Sequence, residues 1–153
     1  MSLQYSKAAG FETIAITHSK DKVELAHKLG ADVVVSDAKG LREAGGADVV
    51  LATSNSYKSA SDALSGLRPE GRLMFIGASE GPFTIPSPGE LLMHRLQIIG
   101  SQQNNREYLY EALDYVAKGK VKIMAETFPL DNVTDAYEKV AKGDVRFRAV
   151  IKV

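Results

Sequence analysis

The sequence predicts an α/β protein in which helices cover a mostly parallel sheet. Two observations carry this prediction. Apolar, β-branched runs at 13–17, 47–53 and 72–76 are bounded by polar residues, as strands buried inside a protein are. Between these runs, apolar residues recur at helical spacing, so that strand and helix alternate along the chain. Such alternation with short polar connections favours parallel strands, because each return to the sheet crosses over through a helix.

Length and composition exclude several classes of protein. The chain has 153 residues, of which 44% are hydrophobic, enough for one domain with a real core. Basic and acidic residues number 19 each, so no overall field attracts nucleic acid. No apolar run is long enough to span a membrane, and the first residues do not resemble a signal peptide. Cysteine is absent, which excludes disulfides and thiolate-bound metal, and the expected location is the cytoplasm.

The unit from Glu12 to Asp32 is the one around which the other elements are arranged. A strand at 13–17 leads into a polar turn, and Ser19 is predicted to cap a helix that ends at Gly30. In open α/β sheets, ligands bind beyond the carboxyl ends of the strands. The turn at 17–22 is rich in hydrogen-bond donors and lysine, so we interpret it as a phosphate-binding turn. The alternative is a capped helix with surface lysines.

The other elements are predicted from the same signals. The segment 4–9 has the character of the last turns of a helix, and we expect its beginning to lie outside this chain. The remaining predicted elements, in chain order, are a β run at 32–35, a helix at 39–44, a strand at 47–53, a helix capped within 54–56, a turn at 69–71, a strand at 72–76, a loop at 80–88, a helix at 89–94, a strand at 96–100, a helix capped by Asn104 or Asn105, an extended segment at 121–128, a helix capped by Asp131 or Asn132, and a strand at 146–153.

Several short motifs follow one another in an order that is specific to one family. They are KAAG at 7–10, KLGAD at 28–32, ADVVLATS at 47–54, LRPEGRLMFIG at 67–77 and LQIIGS at 96–101, followed by a terminal strand that carries an arginine. The succession resembles the medium-chain dehydrogenase/reductase superfamily. Within it, the sequence is most similar to the zinc-type alcohol dehydrogenases of the cinnamyl-alcohol-dehydrogenase-like branch.

This resemblance implies a Rossmann-like, doubly wound fold that lacks the family's first strand and its glycine-rich turn. Residues 1–153 would then be a truncated NAD(P)-binding domain together with the C-terminal return of the fold. The family's zinc ligands would belong to a catalytic domain outside this chain, and none is expected here.

The resemblance also implies which cofactor is used. In this fold, an acidic residue at the end of the second strand binds the ribose 2′-hydroxyl of NAD. Here that region holds Thr17, His18 and Ser19, with Lys22 one turn into the helix. Hydroxyls and a lysine suit a 2′-phosphate, so the predicted cofactor is NADP rather than NAD.

Further cofactor-binding positions are implied at later strand ends. They are Thr53, Ser54, Gly77 and Ala78 beside the nicotinamide, Ser101 near it, and Arg148 at the pyrophosphate. The alternatives are cap and turn residues for the first four and an exposed strand residue for Arg148.

The predicted function of the parent protein is hydride transfer between NADPH and a small alcohol or aldehyde, with zinc polarising the oxygen. A zinc-free quinone or enoyl reductase of the same superfamily is one alternative. The other is that the isolated chain is a non-catalytic nucleotide-binding or dimerisation module, which we favour for the chain by itself.

Two structural expectations complete the prediction. The apolar strand Leu96–Gly100 is expected to join two copies into a homodimer, as in the family it resembles. The absent first strand would leave a gap between 13–17 and 49–53. Because unpaired backbone groups are costly, we expect these two segments to pair directly, with residues 4–9 displaced or repacked.

Overall fold

The computed structural model describes residues 1–54, 56–102 and 105–153. Its strands are β1 Ile14–Ile16, β2 Val33–Val35, β3 Ala47–Ala52, β4 Leu67–Phe75, β5 Gln97–Gly100, β6 Glu126–Pro129 and β7 Ala149–Lys152. Its helices are α1 Ser2–Ala8, α2 Val23–Lys28, α3 Ala38–Glu43, α4 Tyr57–Ala63, α5 Pro88–Met93, α6 Arg106–Ala117 and α7 Val133–Lys142. Short 3-10 turns at Lys20–Lys22, Leu64–Gly66 and Leu130–Asn132 adjoin α2, α4 and α7. None of the helices in these ranges is long and apolar enough to cross a membrane.

The strands form three parallel groups, which confirms the predicted α/β class. β1 pairs with β2, β4 lies between β3 and β5, and β6 pairs with β7. Every one of these pairs is parallel. The predicted strand at 96–100 is therefore β5, at one edge of its group.

The core is built around the central strand of the largest group. Leu73 of β4 is completely buried, and Ala60 and Leu64 from α4 and its 3-10 turn pack in the same cluster. Leu41 of α3 is 1% exposed and lies against Gly66, where a Cβ atom would overlap the leucine side chain. Helix α3 and the 3-10 turn before β4 are therefore packed too closely at this point to admit a side chain at position 66 unless Leu41 moves.

The glycine that was predicted to end α2 does so. Gly30 has a φ of 104°, a conformation that glycine adopts without strain. A Cβ atom there would lie 3.1 Å from the Cβ of Lys7, so the glycine also lets α1 approach closely. Asn105 caps α6 by accepting a hydrogen bond from the Tyr108 N–H at 3.3 Å, while Asn104 lies outside the described residues.

Two other predicted caps were wrong. Ser19 stands at the start of a 3-10 turn, and Asn132 stands at the start of α7, but neither side chain makes a capping hydrogen bond. In both cases a 3-10 turn leads into the helix, so backbone groups satisfy donors that a side chain would otherwise bind.

Two strand boundaries also differ from the prediction. The turn predicted at 69–71 is present as an irregularity inside β4, where Glu70 has a φ of 63° and the pairing with β3 shifts register. The last strand begins at Ala149 rather than Arg146. The reason is the backbone just before it, since Phe147 has a φ of 73° and the Arg146 N–H donates to the Glu126 carboxylate at 2.9 Å.

The expected pairing of 13–17 with 49–53 was wrong. In the described residues β1 has only β2 as a hydrogen-bonded neighbour, and β3 has only β4. Residues 4–9 are not displaced either, because α1 is fastened in place. The Tyr5 hydroxyl donates to the Ala112 carbonyl of α6 at 3.0 Å, and Lys7 forms a 2.5 Å ion pair with Asp32 beside β2. Helix α1 is thus held in place, and β1 and β3 do not pair with each other.

Candidate functional site

The predicted site residues other than Arg148 lie at or just beyond the carboxyl ends of parallel strands. Thr17 follows β1, Thr53 follows β3, and Ser101 follows β5, while Gly77 comes two residues after the end of β4. Because β3, β4 and β5 run parallel and pair in register, their carboxyl ends form one edge. This edge is where open α/β sheets bind ligands.

Three of these strand ends are tied together through the backbone. The N–H of Gly77 donates to the Ala52 carbonyl at 2.9 Å, and the N–H of Ser101 donates to the Phe75 carbonyl at 2.9 Å. A Cβ atom on Gly77 would overlap the carbonyl oxygens of Thr53 and Ser54. Glycine is therefore required at position 77 for β3 and β4 to end this close together. The structure brings Thr53, Ser54, Gly77 and Ser101 together, with exposed Ala78 beside them.

The turn after β1 presents hydroxyls and a lysine to solvent. Thr17 is held to β2 by its N–H, which donates to the Val35 carbonyl at 2.9 Å, and its hydroxyl accepts from the Ser19 N–H at 3.3 Å. The N–H of Lys22 donates to the Ser19 carbonyl at 3.0 Å, which closes the 3-10 turn. Within the described part of the chain, the Lys22 ammonium group forms no ion pair and the Ser19 hydroxyl no hydrogen bond. Both groups are available to an anion.

Sequence reasoning missed one carboxylate near this turn. Asp37 follows β2 and caps α3, accepting from the Gly40 N–H at 2.8 Å. That hydrogen bond lowers the pKa of Asp37 below its usual range, and the nearby His18 lowers it further. The signal was available, because residues that follow two paired parallel strands lie side by side. The turn at 17–22 contains few acidic residues, but the carboxylate of Asp37 lies near it.

Arg148 is not brought together with the other predicted residues. It lies immediately before β7, and its carbonyl accepts from the Glu126 N–H at 2.8 Å. Its described contacts therefore belong to the β6–β7 pair. The structure does not join this pair by strand hydrogen bonds to the strands that carry the other candidates.

The described residues do not fit a zinc site. They contain no group of three or more histidine, aspartate or glutamate side chains that could hold a metal ion, and the sequence has no cysteine. One of the three histidines, His27, uses Nδ1 in a 2.9 Å contact with the Ala31 carbonyl.

The fold and the strand-end residues together define a class of protein. Three of its features are typical of nucleotide-binding α/β domains. They are parallel strands linked by helices, a glycine where two strand ends approach closely, and hydroxyl and lysine groups at the carboxyl edge of the sheet. A sequence profile described as zinc-binding dehydrogenase matches residues 1–118. The chain belongs to the zinc-binding dehydrogenase family.

Similarity to known proteins agrees with this membership. An alcohol dehydrogenase of Geobacillus stearothermophilus is 34% identical over 160 aligned positions, which cover 100% of this chain and 47% of that protein. The crystal structure of the alcohol dehydrogenase of the archaeon Aeropyrum pernix superposes with a TM-score of 0.87 at 28% identity, covering 99% of this chain and 46% of that one. A structure described as an NAD-dependent alcohol dehydrogenase has the same TM-score of 0.87 and the same identity of 28%, covering 99% of this chain and 47% of that one. The chain spans about half the length of the relatives that it matches.

Proposed function

We propose that residues 1–153 are the cofactor-binding part of an NADP-dependent alcohol dehydrogenase or aldehyde reductase. The whole enzyme would transfer hydride between the nicotinamide and a small alcohol or aldehyde. Membership in the zinc-binding dehydrogenase family supports the reaction class. The small and hydroxyl-bearing residues at the ends of β3, β4 and β5 support a place for the nicotinamide ring beside them.

In this proposal the residues of the chain bind and orient the dinucleotide, which supplies or accepts the hydride. Gly77 and Ala78 leave the backbone open to the ring, Thr53, Ser54 and Ser101 offer hydroxyls to it, and Arg148 serves the pyrophosphate as the family resemblance implies. Zinc would be held by residues outside this chain. The isolated chain would then bind nucleotide without oxidising alcohol.

The preference for NADP rests on one observation. At the end of β1, where this fold binds the adenosine ribose, an exposed lysine and a serine hydroxyl stand without partners among the described residues. A 2′-phosphate carries two negative charges that these groups would satisfy, and charge-assisted hydrogen bonds are the strong ones.

The test compares nucleotides that differ only in the 2′-phosphate. On this chain, 2′,5′-ADP should bind more tightly than 5′-AMP, and Lys22→Ala should weaken only the former. The loss of one charge-assisted contact is worth about 1.5–3 kcal/mol, or about 10- to 150-fold in affinity. Lys28→Ala is the matched control, because Lys28 lies at the far end of the helix that follows Lys22 and pairs with Glu24 at 2.6 Å. Equal affinities for the two nucleotides would contradict the proposal, and a preference of the whole enzyme for NADH would also contradict it.

NADH is the second candidate cofactor, and one observation favours it. Asp37 lies near His18 at the same strand ends, and a carboxylate there repels a 2′-phosphate and accepts from a ribose hydroxyl. If NADH is the cofactor, Asp37→Asn should weaken NADH binding and improve NADPH binding. If NADPH is the cofactor, the same change should leave NADH binding unaffected.

We also propose that two copies associate through β5. This strand pairs only with β4, so one of its edges has no strand neighbour in the described residues. Leu92 and Met93 are each 76% exposed just before it, which adds apolar surface. Light scattering should give the mass of a dimer, and association should protect the Gly100 amide from hydrogen exchange. A monomer at high concentration would contradict this proposal.

A further inference from the structure

We propose that Ser61 is a positioning residue for the nicotinamide end of the cofactor and acts without contacting it. The Ser61 hydroxyl holds the loop that follows β4, and this loop carries Gly77 and Ala78 at the carboxyl edge of the sheet. The role assigned to Ser61 rests on the proposed function, because it requires the nicotinamide to lie beside those two residues.

The Ser61 hydroxyl is a buried polar group with a distant partner. Ser61 is 3% exposed, and its hydroxyl donates to the Thr84 carbonyl at 2.5 Å. The Thr84 hydroxyl lies 3.3 Å from the same oxygen. Serine hydroxyls inside helices often bond to the backbone of their own helix, whereas this one bonds to a residue 23 positions further along the chain. It therefore joins α4 to the loop after β4.

Three aromatic rings form a second attachment beside this hydrogen bond. Phe83 lies edge-to-face against Phe75, with 4.8 Å between the ring centroids and 85° between the ring planes. Tyr57 of α4 contacts both rings, with centroid distances of 5.6 Å to Phe75 and 6.4 Å to Phe83. Aromatic pairs in this arrangement attract each other. Because Phe75 is the last residue of β4, the chain leaves the sheet at this ring and returns to it at Phe83.

The two attachments close residues 76–82 into a loop at the candidate site. The beginning of the loop is bound to β3, because the Gly77 N–H donates to the Ala52 carbonyl at 2.9 Å. Its end is bound to α4 by the hydrogen bond and the aromatic contacts described above. Near the tip, Gly81 has a φ of 89°, and a Cβ atom there would lie within 4 Å of nothing beyond its chain neighbours. The shape of this open loop therefore depends on its two ends.

Fixing both ends lowers the cost of binding a ligand against the backbone of the loop. A segment that is ordered beforehand loses less conformational entropy when the ligand binds, which increases the affinity. Without the Ser61 hydroxyl, the Thr84 carbonyl loses this donor, and the chain from there to the α5 cap at Ser87 becomes freer. The nicotinamide would then have to order Gly77 and Ala78 as it binds. The adenosine end of the cofactor, bound beyond β1, would not be affected.

The test compares two nucleotides that share the adenosine 2′-phosphate, of which only NADP⁺ carries a nicotinamide and 2′,5′-ADP does not. Ser61→Ala should weaken the binding of NADP⁺ to this chain about 3- to 10-fold, the effect of one hydrogen bond, and that of 2′,5′-ADP less than about twofold. Ser65→Ala is the matched control and should change neither affinity. The Ser65 hydroxyl donates to the nearby Asp62 carbonyl at 3.0 Å and attaches no loop. Isothermal titration calorimetry measures the affinities.

A second variant and a cleavage assay test the same attachment if Ser61→Ala does not fold, which circular dichroism shows. Phe83→Leu removes the aromatic contacts and keeps the Ser61 hydroxyl, and it should also weaken NADP⁺ more than 2′,5′-ADP. Glu80 is exposed within the loop, so a glutamyl endopeptidase reports on the loop directly. Cleavage after Glu80 should be faster in both variants than in the unaltered protein. NADP⁺ should slow this cleavage, and 2′,5′-ADP should not.

The outcomes separate the role of Ser61 from the proposed function. Equal losses for the two nucleotides, or no loss for NADP⁺, would overturn the role of Ser61 and leave the proposed function in place. Unchanged cleavage after Glu80 in both variants would overturn the attachment of the loop. Failure of the unaltered chain to bind either nucleotide would overturn the proposed function, and the role of Ser61 with it.

Discussion

Two neighbouring strands of the same group, β3 and β4, differ sharply in how much of their apolar surface is buried. Leu73 of β4 is 0% exposed, whereas Leu51 of β3 is 37% exposed and Val49 is 45% exposed. The two strands pair over their carboxyl halves, Val50 with Leu73 and Leu51 with Met74. Leu51 therefore lies on the other face of the sheet from Leu73, and β3 has a strand on one side only whereas β4 has one on both sides. Burial of an apolar strand residue thus depends on its neighbours in the sheet as much as on its own hydrophobicity.

The same substitution at two leucines should give the largest measurable difference between these strands. Leu73→Ala removes a fully buried side chain and should lower the free energy of unfolding by about 2–5 kcal/mol. Leu51→Ala removes a partly exposed side chain and should cost about 1 kcal/mol or less. Urea denaturation followed by circular dichroism measures both. A cost for Leu51→Ala as large as that for Leu73→Ala would contradict this comparison.

Local signals in the sequence predicted most elements and several of their boundaries. Gly30 ends α2 because a positive φ favours glycine, and Asn105 caps α6 because its side chain reaches an N–H three residues on. Such features depend on a few adjacent residues. Whether 13–17 would pair with 49–53 depended instead on contacts between residues far apart in the sequence, such as that of Tyr5 with Ala112. No local pattern encodes such contacts.

The candidate site was predictable to the same degree. Thr53, Gly77 and Ser101 were assigned by the family resemblance, and parallel pairing of their strands brings them together. Asp37 was missed because it is far from His18 in the sequence, and only the pairing of β1 with β2 makes them neighbours. Residues of one turn are recognised from adjacent positions, whereas Asp37 is recognised only once the pairing of β1 with β2 is known.

The β1–β2 pair has a polar attachment to helix α1, and the smallest expected effect concerns it. Asp32 accepts from Lys7 at 2.5 Å and from the Thr13 N–H at 2.9 Å, so one carboxylate joins α1, β1 and the start of β2. The hydrogen bond from Lys7, followed by that from the Thr13 N–H, lowers the pKa of Asp32 below its usual 3.8.

A lowered pKa in the folded state fixes the direction of the pH dependence. The unfolded chain binds a proton at Asp32 more readily than the folded chain does, so the contribution of Asp32 to the free energy of unfolding is fully present above 3.8. This contribution is lost as the pH falls from 3.8 through the lower pKa of the folded state. Asp32→Asn should therefore destabilise the protein at about pH 7, and the difference from the unaltered protein should shrink towards about pH 3.

The control is Glu24→Gln, which removes a carboxylate whose pKa is also lowered, mainly by the hydrogen bond from Lys28. That pair lies on the surface of one helix and joins no separate elements, so its removal should change the free energy of unfolding less than Asp32→Asn does. Urea denaturation at both pH values measures the four differences. A loss for Asp32→Asn that is independent of pH, or no larger than that for Glu24→Gln, would show that the carboxylate does not attach α1 to the β1–β2 pair. In that case α1 would be held in place by apolar packing and by the hydrogen bonds of Gln4 and Tyr5.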